Sequence, residues 1–350
     1  MKWLCGLLVV LVSVCPAAWA QDSLTIASFG GRFQDAQRKV YFQPFEKATG
    51  IKVVEASYSS AAQLRAMEMS GNVEWDLFEA VPTAFQLLLN VGYLEKIDYS
   101  KIENLDQFDP RVLHPYGMGA LYFAQVVSYN TKSFPGENHP RNWSDVWDVA
   151  KFPGKRVLPA GNWDGVTPYE MAVLADGVAG DQMYPIDFGR AFRMFTSIRP
   201  SVIKWVNTAS SAPQALVDGE ADLGYAAQAR IAELKGQGAP VDWSWDQGLI
   251  TSDYWAIPKG AKRADLAMKF INFVSQAAPQ AELVKLLPFG PTNKAALKDL
   301  PEDLQKNMPS YPANLAREVF LKPEFWTTPG ADGKTPFDQA VKQWNQWVLQ

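Results

Sequence analysis

Strand-like and helix-like segments alternate along this chain in a way that few folds accept. "LTIAS" leads into a helical stretch from Gln34 to Ala48 that Gly50 stops, "IKVVEASY" follows as the next strand, and "AAQLRAMEMSG", "WDLFEA" and "PTAFQLLLNVG" repeat the exchange. The pattern resumes with "KRVLPA" before "PYEMAVLADGV", "SVIKWV" before "SAPQALVDGE", and "ADLGYAA" before "QARIAELKGQG". A strand, a helix and a strand in succession make parallel neighbours with the helix on one face, so the chain predicts an α/β fold of mostly parallel sheets flanked by helices. At 350 residues it is long enough for two such lobes. "YFAQVVSYN" (122–130) and "SDYWAIP" (252–258), rich in β-branched and aromatic residues, are predicted to cross between the lobes, which places a hinge there and a ligand cleft between them.

The opening "MKWLCGLLVVLVSVCPAAWA" sets the compartment. Lys2, an apolar run from Leu4 to Val14 and Ala18-Trp19-Ala20 have the layout of a cleavable secretory leader covering residues 1–20, and the run is short of the roughly 20 residues a spanning helix needs. Cys5 and Cys15 both fall inside it, so the rest of the chain has no cysteine and must rely on its core. These features predict a periplasmic protein. The balance of 33 basic to 37 acidic residues is mild and unclustered, which argues against nucleic acid as a partner.

Most catalytic classes find no material here. His114 and His139 are the two histidines, far apart in sequence, which leaves little for a metal site. The chain has no G-x-S-x-G, Walker A, H-E-x-x-H or G-x-G-x-x-G motif. The prediction is a protein without cofactor or metal that binds and does not catalyse. Carboxylates are numerous enough to keep a periplasmic carbohydrate-active enzyme as an alternative, and the 13 tryptophans keep a sugar binder as another.

Several corners of the predicted fold carry candidate ligand-binding residues. Phe29-Gly30-Gly31 ends the first strand, where glycines let a ligand approach backbone N–H groups and Phe29 offers a ring; an ordinary tight turn is the alternative. Glu79 ends "WDLFEA", Asp164 follows "KRVLPAGNW", and Asp253 opens the second crossover, so each could pair with an ammonium group, with Trp163 or Phe29 supplying a cation–π face. Arg230 in "YAAQARI" could clamp a carboxylate from the cleft wall, or lie exposed on its helix.

Six stretches in order resemble the extracellular solute-binding proteins of ABC importers, of the spermidine/putrescine-binding type: "SFGGRFQDAQRKVYFQPFEKATGIKV", "WDLFEAVPTAFQLLLNVGYLEKID", "NWSDVWDVAKFPGKRVLPA", "PQALVDGEADLGYA", "DYWAIPKGAKRADLAMKFINFV" and "PFGPTNKAA". The resemblance implies a two-lobe type II periplasmic-binding-protein fold, joined by two crossover strands, that closes over a ligand and presents it to an inner-membrane ABC permease. It implies a small cationic or zwitterionic amine as ligand. Phe29 then stands where polyamine binders have a stacking tryptophan, and Asp164 and Asp253 where they have amine-pairing carboxylates. Thr167 replaces a second acid, Ala227 and Thr251 replace aromatic walls, and Val81 and Thr83 replace a serine and a tyrosine. These departures, and the positive charge of Arg230, favour an aminobutyrate-like zwitterion over spermidine.

The expected division is an N-terminal lobe of residues 21–125 plus about 258–305, and a C-terminal lobe of 126–257 plus about 306–350, in a monomer. The last stretch, "PFDQAVKQWNQWVLQ", has apolar spacing at Phe337, Val341, Trp344 and Val348 that predicts a helix packed on the protein.

Overall fold

The computed structural model describes residues 22–58, 60–163 and 168–350. The expected leader, Asp164 and Thr167 lie outside the described residues. Ten strands share one sheet: β1 (Ser23–Ser28), β2 (Lys52–Ser57), β3 (Leu77–Ala80), β4 (Leu113–His114), β5 (Gly117–Asn130), β6 (Arg156–Pro159), β7 (Val202–Val206), β8 (Leu223–Ala227), β9 (Val241–Ala256) and β10 (Val319–Phe320).

Their order is β2-β1-β3-β9-β5-β8-β6-β7, with β10 beside β9 and β4 beside β5. One wing, β2-β1-β3, is parallel throughout, as is the other, β8-β6-β7. Each wing grows from strand–helix–strand units, which is why the sequence alternation found it. The centre differs from the mostly parallel sheet expected for each lobe: β5 and β9 run antiparallel to each other, β9 antiparallel to β3, and β5 antiparallel to β8. The reason is topological. A chain that crosses from one lobe to the other and later returns must run its two crossings in opposite directions. The residues of β5 are buried almost without a break, as suits a strand covered on both faces.

The second crossing begins earlier than the sequence indicated, at Val241 rather than Ser252. Between Gln125 and Val127 of β5, the facing residue on β9 moves from Leu249 to Ser244, so the intervening residues of β9 leave the ladder. Gln247 there has φ 60°. The excursion is tied down on two sides: the Gln247 N–H donates to the Arg317 carbonyl (2.8 Å), and the Trp143 indole N–H donates to the Gln247 carbonyl (2.9 Å).

Packing decides most of the tryptophans. Phe195, Trp205, Trp344 and Trp347 form one cluster, with ring centroids 5.1 Å apart for Trp205 and Trp344 and 4.9 Å for Trp344 and Trp347. Trp344 and Trp347 belong to the helix Pro336–Trp347, which buries Ala340, Trp344 and Trp347; Val348, expected on that stripe, is exposed. Arg156 has no exposed surface, and its guanidinium donates to the carbonyls of Val146 (3.1 Å), Gly154 (2.6 Å) and Phe152 (2.5 Å). It ties the loop after the helix Trp143–Trp147 to the start of β6. Gly224 of β8 is required by close approach, since a Cβ there would lie 2.0 Å from the Val157 carbonyl oxygen.

Candidate functional site

A mostly apolar cavity of about 530 Å³ opens where the two wings meet the long strands. Val81 and Thr83, at the start of the helix Pro82–Asn90, line it from the first wing; Gln125 of β5 and Thr251 of β9 form its floor; Glu170 and Trp326 close it from the other side. Three of these, Val81, Thr83 and Thr251, stand where the sequence comparison located departures from the polyamine pattern. Glu170 is buried and its carboxylate accepts from the Trp326 indole N–H (2.6 Å) and the Tyr184 hydroxyl (2.8 Å). Gln125 is buried with its amide oxygen unpartnered among the described residues. Neither Gln125 nor Glu170 gave a signal in the sequence, because each sits inside an apolar run and faces the cavity only after distant segments assemble.

Two residues beyond Thr251 on the same strand, Asp253 faces Leu121 of β5. Glu79 of β3 faces Trp255, two residues further along β9, so alternation puts Glu79 and Asp253 on one face of the sheet as diagonal neighbours. Glu79 is fully buried and Asp253 is 6% exposed. The Gln37 amide donates to Glu79 Oε2, and Gln37 Oε1 in turn accepts from the Ser28 hydroxyl (2.5 Å). Glu79 Oε1 and Asp253 Oδ1 have no hydrogen-bond partner among the described residues. Burial raises the pKa of Asp253 well above the usual carboxylate range; burial first, and the Asp253 charge second, does the same to Glu79.

The helix after the double glycine explains how Gln37 reaches this place. Residues Arg38–Phe42 form a π turn between the α-helical segments Gly31–Gln37 and Gln43–Thr49, and Gln37, Tyr41 and Phe42 are all buried. Phe29 is half-buried at the corner. Its ring lies 5.3 Å from Phe33 and 5.9 Å from Tyr58, and Phe33 lies 5.8 Å from Phe289, so an aromatic row lines this flank. The Tyr58 hydroxyl is unpartnered among the described residues, and its pKa is pushed up by burial and by the Asp253 charge, which ties the row to the acid pair.

The double glycine is a tight corner. Gly30 has φ 75°, a conformation that favours glycine, and its N–H is already taken by the Gln34 side chain (3.1 Å). Gly31, with φ 53°, is exposed. Arg230 is exposed on the helix Gln228–Gly236 and bonds Glu233 at 3.0 Å. The other Glu233 oxygen bonds Arg32, which follows the double glycine, at 2.5 Å. Arg32 and Arg230 thus flank one carboxylate across the cleft rim, and an exposed pair of this kind contributes about 0–1 kcal/mol. Trp163 is half-buried against the core. Ala227 caps the helix that carries Arg230.

Bacterial extracellular solute-binding proteins match this chain over residues 41–313. A gamma-aminobutyric acid-binding protein of Pseudomonas aeruginosa is 33% identical over 95% of this chain and 93% of its own. This chain belongs to the bacterial extracellular solute-binding protein family. Solved structures agree with that assignment. The Atu4243-GABA receptor superposes with a TM-score of 0.81 at 30% identity, covering 93% of this solute-binding protein and 97% of the receptor. The binding protein AgtB from A. tumefaciens R10, in complex with agropinic acid, superposes at 0.73 with 37% identity over 94% and 99% of the two chains. The two-lobe fold and the resemblance drawn from the six sequence stretches are therefore borne out at the level of the family. Among the described residues, no helix of this solute-binding protein is long and apolar enough to cross a membrane.

Proposed function

We propose that this protein is the periplasmic capture component of an ABC importer and that its ligand is a small amine, with a zwitterion such as γ-aminobutyrate ahead of a polyamine. The observation that carries the reading is the buried pair Glu79 and Asp253, each with an oxygen unpartnered among the described residues, beside a cavity whose described lining contains Glu170 and Asp338 but no lysine or arginine. Carboxyl groups held in an apolar surround without a cation suit an ammonium group. A volume of about 530 Å³ is in the range of small-molecule sites. The names of the relatives support an amine that also carries a carboxylate, and Arg230 and Arg32 at the rim could exchange Glu233 for it at small cost.

In this reading residues 1–20 are the leader, and the exported protein acts as a monomer that docks on a permease when its lobes close. The lobes divide at the long strands, with residues 21–125 and about 258–305 on one side and 126–257 and about 306–350 on the other. The ligand would be held by Trp163, Thr251, Phe29 and the double-glycine corner, and Asp164 and Thr167, outside the described residues, remain proposed ligand-binding residues from the sequence. The protein performs no reaction on what it holds.

The test is a thermal-shift and calorimetric screen of residues 21–350 against γ-aminobutyrate, putrescine, spermidine and a set of sugars. Ligand at a hundred times its Kd stabilises the folded form by about 2.7 kcal/mol, a readily visible rise in Tm. A rise with γ-aminobutyrate, and recovery of that compound unchanged after incubation, is expected. Response to sugars alone would overturn the amine reading, and loss of the added compound would replace binding with catalysis.

A further inference from the structure

We propose that Glu79 and Asp253 together retain one proton while the cleft is empty, and that a ligand ammonium arriving at Asp253 expels it to solvent. The inference rests on the amine reading above and deepens it: capture would be linked to proton release, and Glu79, which the cavity does not expose, would set the pH range in which the protein loads.

The argument begins with the register. Two carboxyl side chains share one face of adjacent strands, both buried, with no lysine, arginine or histidine bonded to either among the described residues. Two bare negative charges at this spacing and burial would repel with no counter-charge to relieve them. The hydrogen bonding says where relief is needed. Glu79 Oε2 is satisfied by Gln37, which Ser28 holds in turn, whereas Glu79 Oε1 and Asp253 Oδ1 are bare. One proton, or one ammonium group, supplies the missing positive charge. Among the described residues, the titratable groups that feel the pair are phenols: Tyr41 from the π turn, Tyr58 after β2, and, on the opposite face of the sheet, Tyr254 next to Asp253 on β9. None of them is a proton donor at neutral pH, so the pair must draw its proton from water. The raised pKa of both acids, caused first by burial, agrees with a resident proton.

The sign for stability follows. An acid whose folded pKa is raised is neutral in the fold when its unfolded counterpart has ionised, so it disfavours folding as pH rises above the unfolded value of about 4. His114, lowered by burial, acts in the opposite direction, losing stability as pH falls, and is common to all variants.

Two measurements on residues 21–350 test the proposal. In calorimetry with γ-aminobutyrate at pH 7, in two buffers of different ionisation enthalpy, the wild-type chain should release close to one proton per ligand, and its affinity should rise with pH by a factor approaching ten per unit. Glu79→Gln, in which burial alone holds a proton on Asp253, should release a smaller fraction of a proton than the wild type and show a flatter pH profile. Without ligand, the fall in Tm between pH 5 and pH 8 should be steeper in the wild type than in Glu79→Gln; should that variant not fold, Asp253→Asn serves for the ligand-free comparison. Equal proton release and equal Tm slopes in wild type and variant would overturn the proposal. If γ-aminobutyrate binds without proton release, the shared proton is refuted and the amine reading stands. If no amine binds, the ligand-free slopes still decide whether the pair holds its proton.

Discussion

Asp253→Asn is expected to weaken amine binding by at least about thirtyfold while leaving the empty protein folded. Removing one partner of a buried ion pair costs roughly 2–5 kcal/mol, and each 1.4 kcal/mol is a factor of ten in Kd. The fold should tolerate the change because an asparagine keeps the shape and removes a charge that burial penalises. The Tm of the ligand-free variant at pH 8 should therefore equal or exceed that of the wild type. Titration calorimetry with γ-aminobutyrate reads the first effect and a thermal melt reads the second. Unchanged affinity would mean that the ammonium sits elsewhere in the cavity, with Glu170 as the next carboxylate to consider.

Arg156→Ala should have the largest effect on stability. The side chain is fully buried and three of its donors meet main-chain carbonyls of the segment leading to β6, so truncation leaves a cavity and several acceptors without partners. An orphaned buried polar group costs about 1–3 kcal/mol, and the sum expected here is roughly 3–5 kcal/mol after water enters. For a chain of this size each kcal/mol lowers Tm by about 2 °C, so a fall of about 6–10 °C is expected in a melt without ligand. Binding at saturating γ-aminobutyrate below the transition should be retained, since Arg156 touches none of the cavity walls.

The wings of the sheet were legible in the sequence because their signals are local. A strand such as "LTIAS" announces itself by composition. β9 was legible only from Ser252, because Asp246, Gln247 and Gly248 interrupt its pattern with turn residues, and those residues do leave the ladder. The pairing of Glu79 with Asp253 needed the register between β3 and β9, which joins segments remote in the chain and has no sequence signal of its own. Trp326 reaches the cavity from another distant segment and was missed for the same reason. Arg230 shows the converse. Glu233 lies three residues on, at the spacing where helical neighbours pair, so its occupied state could have been read from the sequence alone.

The long strands β5 and β9 also determine how the molecule comes apart. Together they join the two wings: β9 pairs with β3 at one end, β5 pairs with β8 along its second half, and the two pair with each other. Neither half of the sheet can melt without stripping strands that the other half needs to stay covered. Heating should therefore show one cooperative transition, with calorimetric and van't Hoff enthalpies in agreement, in place of the two separate steps that a pair of independent domains would give.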